Sequence, residues 1–275
     1  MFGTMSHSPG KVAIFVASEQ PAHPENSEPS ERSGLSEQPV GAPAPPPSAI
    51  EVFGSALPLA AEYADLLAGA GVERGLIGPR EVSRLWERHL VNCAVVAEEI
   101  PDGALVVDVG SGAGLPGIVI ALVRSDIQVA LLEPLLRRTV FLEEAVAALE
   151  LENVTVVRGR AEEWAGRMDA DVVTARAVAP LEKLAAWCLP LLRARGRMLA
   201  LKGETAAEEL AAIRGTLPAL GVVKAEVVEV GARYGEAATR VVRIDVGDRG
   251  FLSARPKTRQ SKSRQRGRGE SAHRR

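Results

Sequence analysis

Residues 106–117 read Val-Val-Asp-Val-Gly-Ser-Gly-Ala-Gly-Leu-Pro-Gly. Apolar residues around Asp108 are followed by a glycine-rich stretch and then by Pro116, an order that predicts a strand, a tight turn and the start of a helix. Glycine permits positive φ and close approach of a ligand, proline suits the first turn of a helix, and the amides there favour an anion or a polar ligand group. Glu133 ends the next apolar run, about twenty residues on, where a ribose-binding acid is expected. The stretch therefore predicts a site for an adenosine-type cofactor.

The glycine stretch alone fits two kinds of cofactor. Residues 112–117 match the dinucleotide-binding fingerprint, whereas residues 108–114 resemble motif I of S-adenosylmethionine-dependent methyltransferases. A third interpretation is a glycine-rich turn that binds nothing, which the paired Glu133 disfavours. Asp108 either binds the cofactor or holds the glycine turn, and we favour the second role.

The composition excludes several classes of protein. The 275 residues carry a formal net charge of -2, and 46% of them are apolar, which is ample for a core. Cys93 and Cys188 are the only cysteines, which argues against a disulfide scaffold or a cysteine-based metal site, so no metal is expected. The apolar run 12–17 is too short for a signal peptide and no cleavage pattern follows it, and no apolar run is long enough to span a bilayer. We therefore expect a cytoplasmic protein.

The composition changes twice along the chain. Residues 1–50 are rich in Pro, Ser, Glu and Gly, and residues 249–275 are dense in Arg and Lys. We expect both to be disordered tails, because neither can bury enough apolar surface to order itself. Between them, residues 51–248 have the size of one domain. We divide it into a helical extension, 51–100, and a Rossmann-like core, 101–248.

The core alternates between strand and helix patterns. Continuous apolar runs, as in a parallel sheet covered on both faces, predict strands at 104–109, 127–132, 153–157, 171–174 and 197–201. Apolar residues at helical spacing predict helices at 116–124, 135–149, about 161–166, 181–193 and 205–219. In the extension, apolar residues from Val82 to Ala97 recur at the same spacing and predict one helix with a buried face.

Two β-rich runs, 222–230 and 239–246, end the domain and are joined by a short loop. A parallel crossover needs about a dozen residues or more, so this pair is predicted to be antiparallel. A nicotinamide-binding domain would instead continue with a second βαβ half. The predicted fold class is therefore α/β: a class I S-adenosylmethionine-dependent methyltransferase sheet, Rossmann-like, with a terminal antiparallel hairpin and an N-terminal helical extension.

Several short strings resemble one family in their order and spacing. They are Gly78-Pro79-Arg80, Leu85-Trp86-Glu87-Arg88-His89-Leu90, Asp108 to Gly117, Leu131-Leu132-Glu133-Pro134, Arg158-Gly159-Arg160-Ala161-Glu162-Glu163, residues 171–177 and Leu201-Lys202-Gly203. Over residues 50–246 the chain resembles the bacterial 16S ribosomal RNA guanine-N7 methyltransferases, the family also called glucose-inhibited division protein B or RsmG. The Leu-Pro-Gly extension of motif I and the Arg-Ala-Glu-Glu string make the resemblance specific, and the two tails lie outside it.

The resemblance implies S-adenosylmethionine as the cofactor and assigns residues to it. They are Gly110 and Leu115, on the methionine and ribose side, with Gly112 added from its place in motif I; Glu133, which would accept hydrogen bonds from the ribose hydroxyls; Ala161 and Glu162, beside the adenine; and Arg176, at the boundary between cofactor and substrate. The last three come after predicted strands, at the edge where ligands bind in open α/β sheets.

The implied target, guanine N7, is a ring nitrogen that has a free lone pair and no proton to lose. Its methylation needs alignment with the sulfonium methyl group, an effect worth up to about 7–11 kcal/mol, and no general base or covalent nucleophile. We therefore expect no acid, base or nucleophile, and expect Arg176 to position the reactants. The sequence agrees, because it has no Pro-Cys dipeptide, and residues 175–180 replace the Asn/Asp-Pro-Pro-aromatic string typical of amine methylation.

Simpler structural roles compete at several positions. Arg176 would then be a surface arginine paired with an acid, and Lys202 a solvated lysine at a strand end. His89 and Trp86 are expected mainly to pack or to brace a helix, with RNA contact as the alternative. The two cysteines are expected to be buried apolar residues. Many family members carry an Asp-Ser pair after the His-Leu/Ile segment, where this chain has Asn92-Cys93, which carries no charge.

RNA binding by a nearly neutral chain requires local positive charge. Arg80, Arg84 and Arg88 recur every fourth residue and would lie along one helix face, either as a phosphate contact or as a solvated face. The expected partner is 16S ribosomal RNA or the small ribosomal subunit, with the protein as a monomer. The alternatives are a small-molecule methyltransferase, which the 4% aromatic content disfavours, and an RNA-binding ribosome-assembly factor with a vestigial cofactor site, which the intact glycine stretch disfavours.

Truncation at about residue 248 tests the role of the basic tail. The truncated protein is expected to bind RNA or the small subunit more weakly and with a flatter salt dependence, because log K falls with log salt by about 0.7–0.9 per neutralised phosphate. Its affinity for the cofactor is expected to stay the same. Binding measured over a range of salt concentrations checks this, and an unchanged affinity and slope would reduce the tail to a passive appendage.

Overall fold

Residues 41–251 are described by the computed structural model, and they form an α/β fold. The strands are β1 (Leu105–Val109), β2 (Gln128–Glu133), β3 (Val154–Arg158), β4 (Ala170–Arg176), β5 (Leu192–Leu201), β6 (Val222–Val230) and β7 (Thr239–Val246). The α-helices are α1 (Pro47–Phe53), α2 (Leu57–Leu66), α3 (Asn92–Ala94), α4 (Gly117–Val123), α5 (Leu136–Ala148), α6 (Leu181–Cys188) and α7 (Ala206–Ile213). In this part of the chain, no helix is long and apolar enough to cross a membrane.

The strands form one sheet in the order β3-β2-β1-β4-β5-β7-β6. The first five are parallel to one another, and β7 runs antiparallel to both β5 and β6. β7 runs opposite to β6 because the loop 231–238 that joins them is too short for a crossover helix. The predicted fold class, with its terminal antiparallel hairpin, is confirmed.

Alternate residues of each central strand face opposite layers of helices. In β1, Val106 packs with the N-terminal helices, α4 and α5 in one core, whereas Val107 packs with α6 and α7 in the other. Both faces of the sheet are therefore covered, which is why the strands read as continuous apolar runs. The two helical layers leave the carboxyl ends of β1 to β4 together at one edge.

The N-terminal helical extension, defined from here on as residues 47–99, is irregular between residues 79 and 99. Its pieces there are a 3-10 segment, Pro79–Arg84, a π-helical segment, Leu85–Val91, then α3, and a second 3-10 segment, Val95–Glu99. Leu85, Leu90 and Cys93 are buried as the pattern predicts. The single regular helix predicted there is wrong, because apolar spacing identifies the buried face without separating the helix types.

The tail predicted for residues 1–50 ends earlier than expected. Within the described part of the chain, α1 already begins at Pro47, and Ala49 is fully buried. The carbonyl of Pro43 accepts a hydrogen bond of 2.6 Å from the indole Nε1 of Trp86. Proline is compatible with the first turn of a helix, so the proline-rich composition of this segment is no sign of disorder.

The basic tail also begins later than predicted. Phe251 is partly buried and packs against the core that holds α6 and α7, so the truncation that tests the tail is better made after residue 251. The remaining parts of the two predicted tails, 1–40 and 252–275, lie outside the described residues.

Candidate active site

A cavity of about 630 Å³ opens at the carboxyl edge of the sheet. Its walls are the turn after β1, the junction of β2 and α5, the loops after β3 and β4, and the N-terminal helical extension. All seven residues that the sequence assigned to the cofactor line it: Gly110, Gly112, Leu115, Glu133, Ala161, Glu162 and Arg176. Parallel strands that end at one edge bring these distant segments together.

Asp108 is fully buried beneath the glycine turn. Its Oδ2 accepts a hydrogen bond of 3.0 Å from the amide of Gly117, and its Oδ1 accepts one of 3.1 Å from the hydroxyl of Thr174. Burial raises the pKa of Asp108 to about 6, although both hydrogen bonds oppose the rise. Asp108 therefore holds the turn, the role favoured from the sequence. It also accepts the hydrogen bond of the Gly117 amide, which lies at the helix start where a ligand group was expected to bind.

Gly117 lies at a position where a side chain would not fit. A Cβ at this position would come within 2.3 Å of Leu131 Cδ2 and 2.8 Å of Asp108 Oδ2. The close approach lets the first turn of α4 rest directly on β1 and β2. The glycine is therefore required for packing and for the hydrogen bond to Asp108.

Glu133, at the end of β2, holds the other side of the turn. Its side chain is 1% exposed. Its Oε2 accepts a hydrogen bond of 3.0 Å from the amide of Gly112, and its Oε1 accepts one of 3.0 Å from the amide of Leu135. Each carboxylate oxygen can accept a second hydrogen bond, so Glu133 can bind the turn and still accept bonds from hydroxyl groups in the cavity.

The loop after β4 lies over the glycine turn. Ala177 has a φ of 53°, which is unusual for a residue with a side chain, and it directs the chain so that Val178 faces Gly110. A Cβ on Gly110 would be 3.0 Å from both methyl carbons of Val178. The absence of a side chain at Gly110 therefore lets the two loops meet.

Lys202 and Glu209 hold the loop after β4 in place through hydrogen bonds to its backbone. The Nζ of Lys202 donates hydrogen bonds of 2.8 Å to the carbonyl of Ala179 and to Oε2 of Glu209. The same carboxylate oxygen accepts a 2.7 Å bond from the amide of Leu181, at the start of α6. The side chain of Lys202 is only 11% exposed, so the interpretation of this residue as a solvated strand-end lysine is wrong.

Arg176 ties the end of β4 to the N-terminal helical extension. Its Nη1 donates to the carbonyl of His89 at 3.4 Å and to Sγ of Cys93 at 3.0 Å. Its Nη2 donates to the carbonyl of Arg88 at 3.3 Å and to Nδ1 of His89. All these acceptors are uncharged, so the competing interpretation of a surface arginine paired with an acid is wrong.

His89 and Trp86 differ in role, although the sequence grouped them together. Trp86 braces the helices: it is buried, it packs edge-on against Phe53 with ring centroids 6.1 Å apart, and it binds the Pro43 carbonyl. His89 lines the cavity as well as packing. Its Nε2 lies 2.9 Å from Oε2 of Glu81.

Leu135, Arg138 and Trp187 line the cavity and were missed. The Nη1 of Arg138 lies 3.6 Å from Oε2 of Glu133. Leu135 and Arg138 follow Glu133 closely in the sequence, so their distance from Glu133 could have identified them as candidates. Trp187 is on α6, and only the packing of that helix beside the loop after β4 brings it to the site.

The three arginines proposed as a phosphate-binding stripe do not share one face. Arg80 and Arg84 lie on a 3-10 segment, whereas Arg88 lies on the π-helical segment that comes next. In a 3-10 helix, residues four apart point about 120° away from each other, so the predicted alignment is wrong. All three are exposed, and Arg88 lies 3.6 Å from Glu81.

The strand order, the glycine turn and the Glu133-lined cavity define a class I S-adenosylmethionine-dependent methyltransferase. Among solved structures, a precorrin-6y C5,15-methyltransferase from Geobacter metallireducens GS-15 is 18% identical with a TM-score of 0.43, over 62% of this chain and 90% of that one. Residues 57–237 match the GidB family, described as rRNA small subunit methyltransferase G.

Two relatives named ribosomal RNA small subunit methyltransferase G are similar over most of their length. The protein from Streptomyces avermitilis is 59% identical, over 75% of this chain and 87% of its own. The protein from Thermobifida fusca is 60% identical, over 74% of this chain and 85% of its own. This chain therefore belongs to the rRNA small subunit methyltransferase G family, which confirms the predicted family.

Replacing Gly112 by valine is expected to abolish cofactor binding without unfolding the protein. The residue has a φ of 58°, which a β-branched residue resists, and a Cβ there would meet nothing closer than 3.7 Å because the position borders the cavity. Calorimetric titration with S-adenosylmethionine and a thermal melt measure the two effects. Wild-type affinity in Gly112→Val would refute the assignment of this turn to the cofactor.

Replacing Asp108 by asparagine is expected to change how stability depends on pH. The raised pKa means that Asp108 favours folding below about pH 4 and that this contribution is lost as the pH rises through about 6. The free energy of unfolding of Asp108→Asn relative to wild type should therefore rise by up to about 3 kcal/mol between pH 4 and 7.

Denaturant titrations at several pH values measure this difference. Asp126→Asn is the matched control, because Arg124 lowers the pKa of Asp126 and keeps that carboxylate ionised throughout the range. A difference between Asp108→Asn and wild type that stays constant with pH would contradict the account of Asp108 as a buried carboxylate with a raised pKa.

Proposed function

We propose that this chain methylates N7 of a guanine in 16S ribosomal RNA, with S-adenosylmethionine as the methyl donor. The observation that carries the proposal is the cavity at the carboxyl edge, where the glycine turn, Glu133 and the loop after β4 meet. The family to which the chain belongs supports the substrate, because its relatives are named for the ribosomal RNA of the small subunit.

The residues present fit this cofactor. Glu133 keeps free lone pairs for the ribose hydroxyls, and Gly112 leaves open space beside it. Ala161 and Glu162, in the loop after β3, would border the adenine, while Gly110 and its neighbours in the turn would hold the methionine end. The bound cofactor would supply a methyl group activated by its sulfonium.

The chain's own contribution to the reaction is alignment. The N7 lone pair would accept the methyl group that the bound cofactor supplies, with the cofactor's sulfur keeping the electron pair of the broken bond. N7 has no proton to lose, so no general base is required. The cysteines agree with direct transfer: Cys93 and Cys188 are fully buried, neither lines the cavity, and burial raises the pKa of each thiol. Arg176 and the loop fastened by Lys202 would position the base and exclude water.

The small-subunit RNA is the macromolecular partner in this proposal. Arg88 lies on the π-helical segment whose carbonyls hold Arg176, and Arg84 directly precedes that segment, so RNA bound there would lie near the cavity. We propose that it acts as a monomer, as expected from the sequence. An enzyme of ribosomal RNA works where ribosomes are made, and we place it in the cytoplasm.

Methyl transfer to small ribosomal subunits that lack the modification tests the proposal. The expected product is one N7-methylguanosine per subunit, identified by mass spectrometry of the digested RNA. The double variant Cys93→Ser and Cys188→Ser is expected to retain measurable turnover, because no covalent adduct is needed and serine still offers Arg176 an acceptor.

Two outcomes would contradict this account. A methyl group on another atom or on another RNA would refute the proposed target. Complete loss of turnover in a double variant that folds and binds the cofactor would refute direct transfer.

A further inference from the structure

His89 links a partly exposed carboxylate, that of Glu81, to the arginine at the end of β4. Its Nε2 lies 2.9 Å from Oε2 of Glu81, in the 3-10 segment, and its Nδ1 contacts Nη2 of Arg176. The imidazole is only 12% exposed and lines the cavity. Glu81, His89 and Arg176 therefore form a continuous chain of polar contacts that runs from the surface into the site.

The partners of His89 require its neutral form. A guanidinium has only donors, so the Nδ1 atom that faces Arg176 must carry a lone pair. The carboxylate of Glu81 has only acceptors, so Nε2 must carry the proton. A second proton on the ring would place an N–H of the imidazolium against an N–H of Arg176, with two positive charges in contact.

The charges around His89 support the neutral form. Burial lowers the pKa of His89 most, the Arg176 guanidinium lowers it further, and Arg88 on the same segment adds to the effect. The hydrogen bond and the charge of Glu81 act in the opposite direction. The pKa of His89 lies below its usual value in consequence, and the ring accepts from Arg176 at neutral pH.

The position of Arg176 matters for the cavity because the next two residues of the chain reach the glycine turn. Ala177 turns the chain with a φ of 53°, and Val178 then lies against Gly110. Arg176 therefore joins the N-terminal helical extension to the start of the loop that covers the glycine turn. A misplacement of about 1 Å is enough to cost about a hundredfold in rate.

We propose that His89 is a positioning residue for methyl transfer: its unprotonated Nδ1 holds Arg176, and through it the loop after β4, in the geometry that the reaction needs. The inference rests on the proposed function. Glu81 fixes the tautomer, and protonation of the ring releases Arg176. Methyl transfer therefore decreases as the pH falls through the pKa of His89.

His89 is well suited to direct measurement. It is the one histidine among residues 41–251, since His7, His23 and His273 lie outside them. Nuclear magnetic resonance of the full chain, without substrate, is expected to show a neutral ring protonated at Nε2, and the Arg176 Nε–H signal should shift with the same midpoint as His89. In Arg176→Met the pKa of His89 is expected to rise. A pKa of His89 that is unchanged in Arg176→Met, or an Arg176 signal that does not shift as His89 titrates, would overturn the proposal.

Kinetics of two substitutions then separate positioning from packing. His89→Leu keeps an apolar side chain but offers no acceptor, and kcat is expected to fall at least about tenfold, with KM for the cofactor within about threefold of wild type. His89→Asn places an oxygen near the position of Nδ1 and cannot titrate. It should therefore restore most of the activity, and its kcat should no longer show the decrease at low pH (the acid limb of the pH profile) that is due to His89. His23→Asn is the matched control and should leave the profile unchanged.

Asp108 titrates in the acid range too, since burial raises its pKa to about 6. The dependence of log kcat on pH in His89→Asn is therefore compared directly with that of wild type, and only the transition assigned to His89 should be missing from it. A full acid limb in His89→Asn, or equal activity of the leucine and asparagine variants, would overturn the proposal. If the Arg176 Nε–H signal follows the His89 titration but no methyl transfer is detected at any pH, the proposed function is wrong and the contact between His89 and Arg176 is still supported.

Discussion

Two buried carboxylates hold the glycine turn, and the site depends on them. Asp108 binds the amide of Gly117 and Glu133 binds the amide of Gly112, so the turn is fixed at both ends. Buried carboxylates are costly unless hydrogen bonds satisfy them, and here the backbone amides of the turn supply those bonds. The same constraint makes glycine necessary, because side chains at the turn would displace the carboxylates or fill the cavity.

The second element of the site is the loop after β4, which is held by groups that are distant in sequence. Lys202 and Glu209 secure its far end, while Arg176 binds its near end to the N-terminal helical extension. The extension is thus part of the catalytic edge rather than an appendage. The π-helical segment that holds Arg176 also carries Arg88 and His89, and His89 lines the cavity.

The sheet and the position of Glu133 in the cavity were predictable because their signals are local. Continuous apolar runs marked the strands, a short connection implied the antiparallel hairpin, and the spacing from the glycine turn identified Glu133. The contacts of Arg176 and Lys202 were not predictable, because they join residues far apart in the chain or depend on packing. The irregular helices of residues 79–99 were also missed, since α, 3-10 and π segments bury the same apolar positions.

The most direct test is a nuclear magnetic resonance titration of the isotope-labelled protein with S-adenosylmethionine. The central claim is that the cavity at the carboxyl edge holds the cofactor. We predict saturable shifts in the amides of residues 110–117, 133–135 and 161–162, with little change in β6. Shifts centred elsewhere, for example on the smaller cavity between α2 and α5, or the absence of any saturable shift, would contradict it.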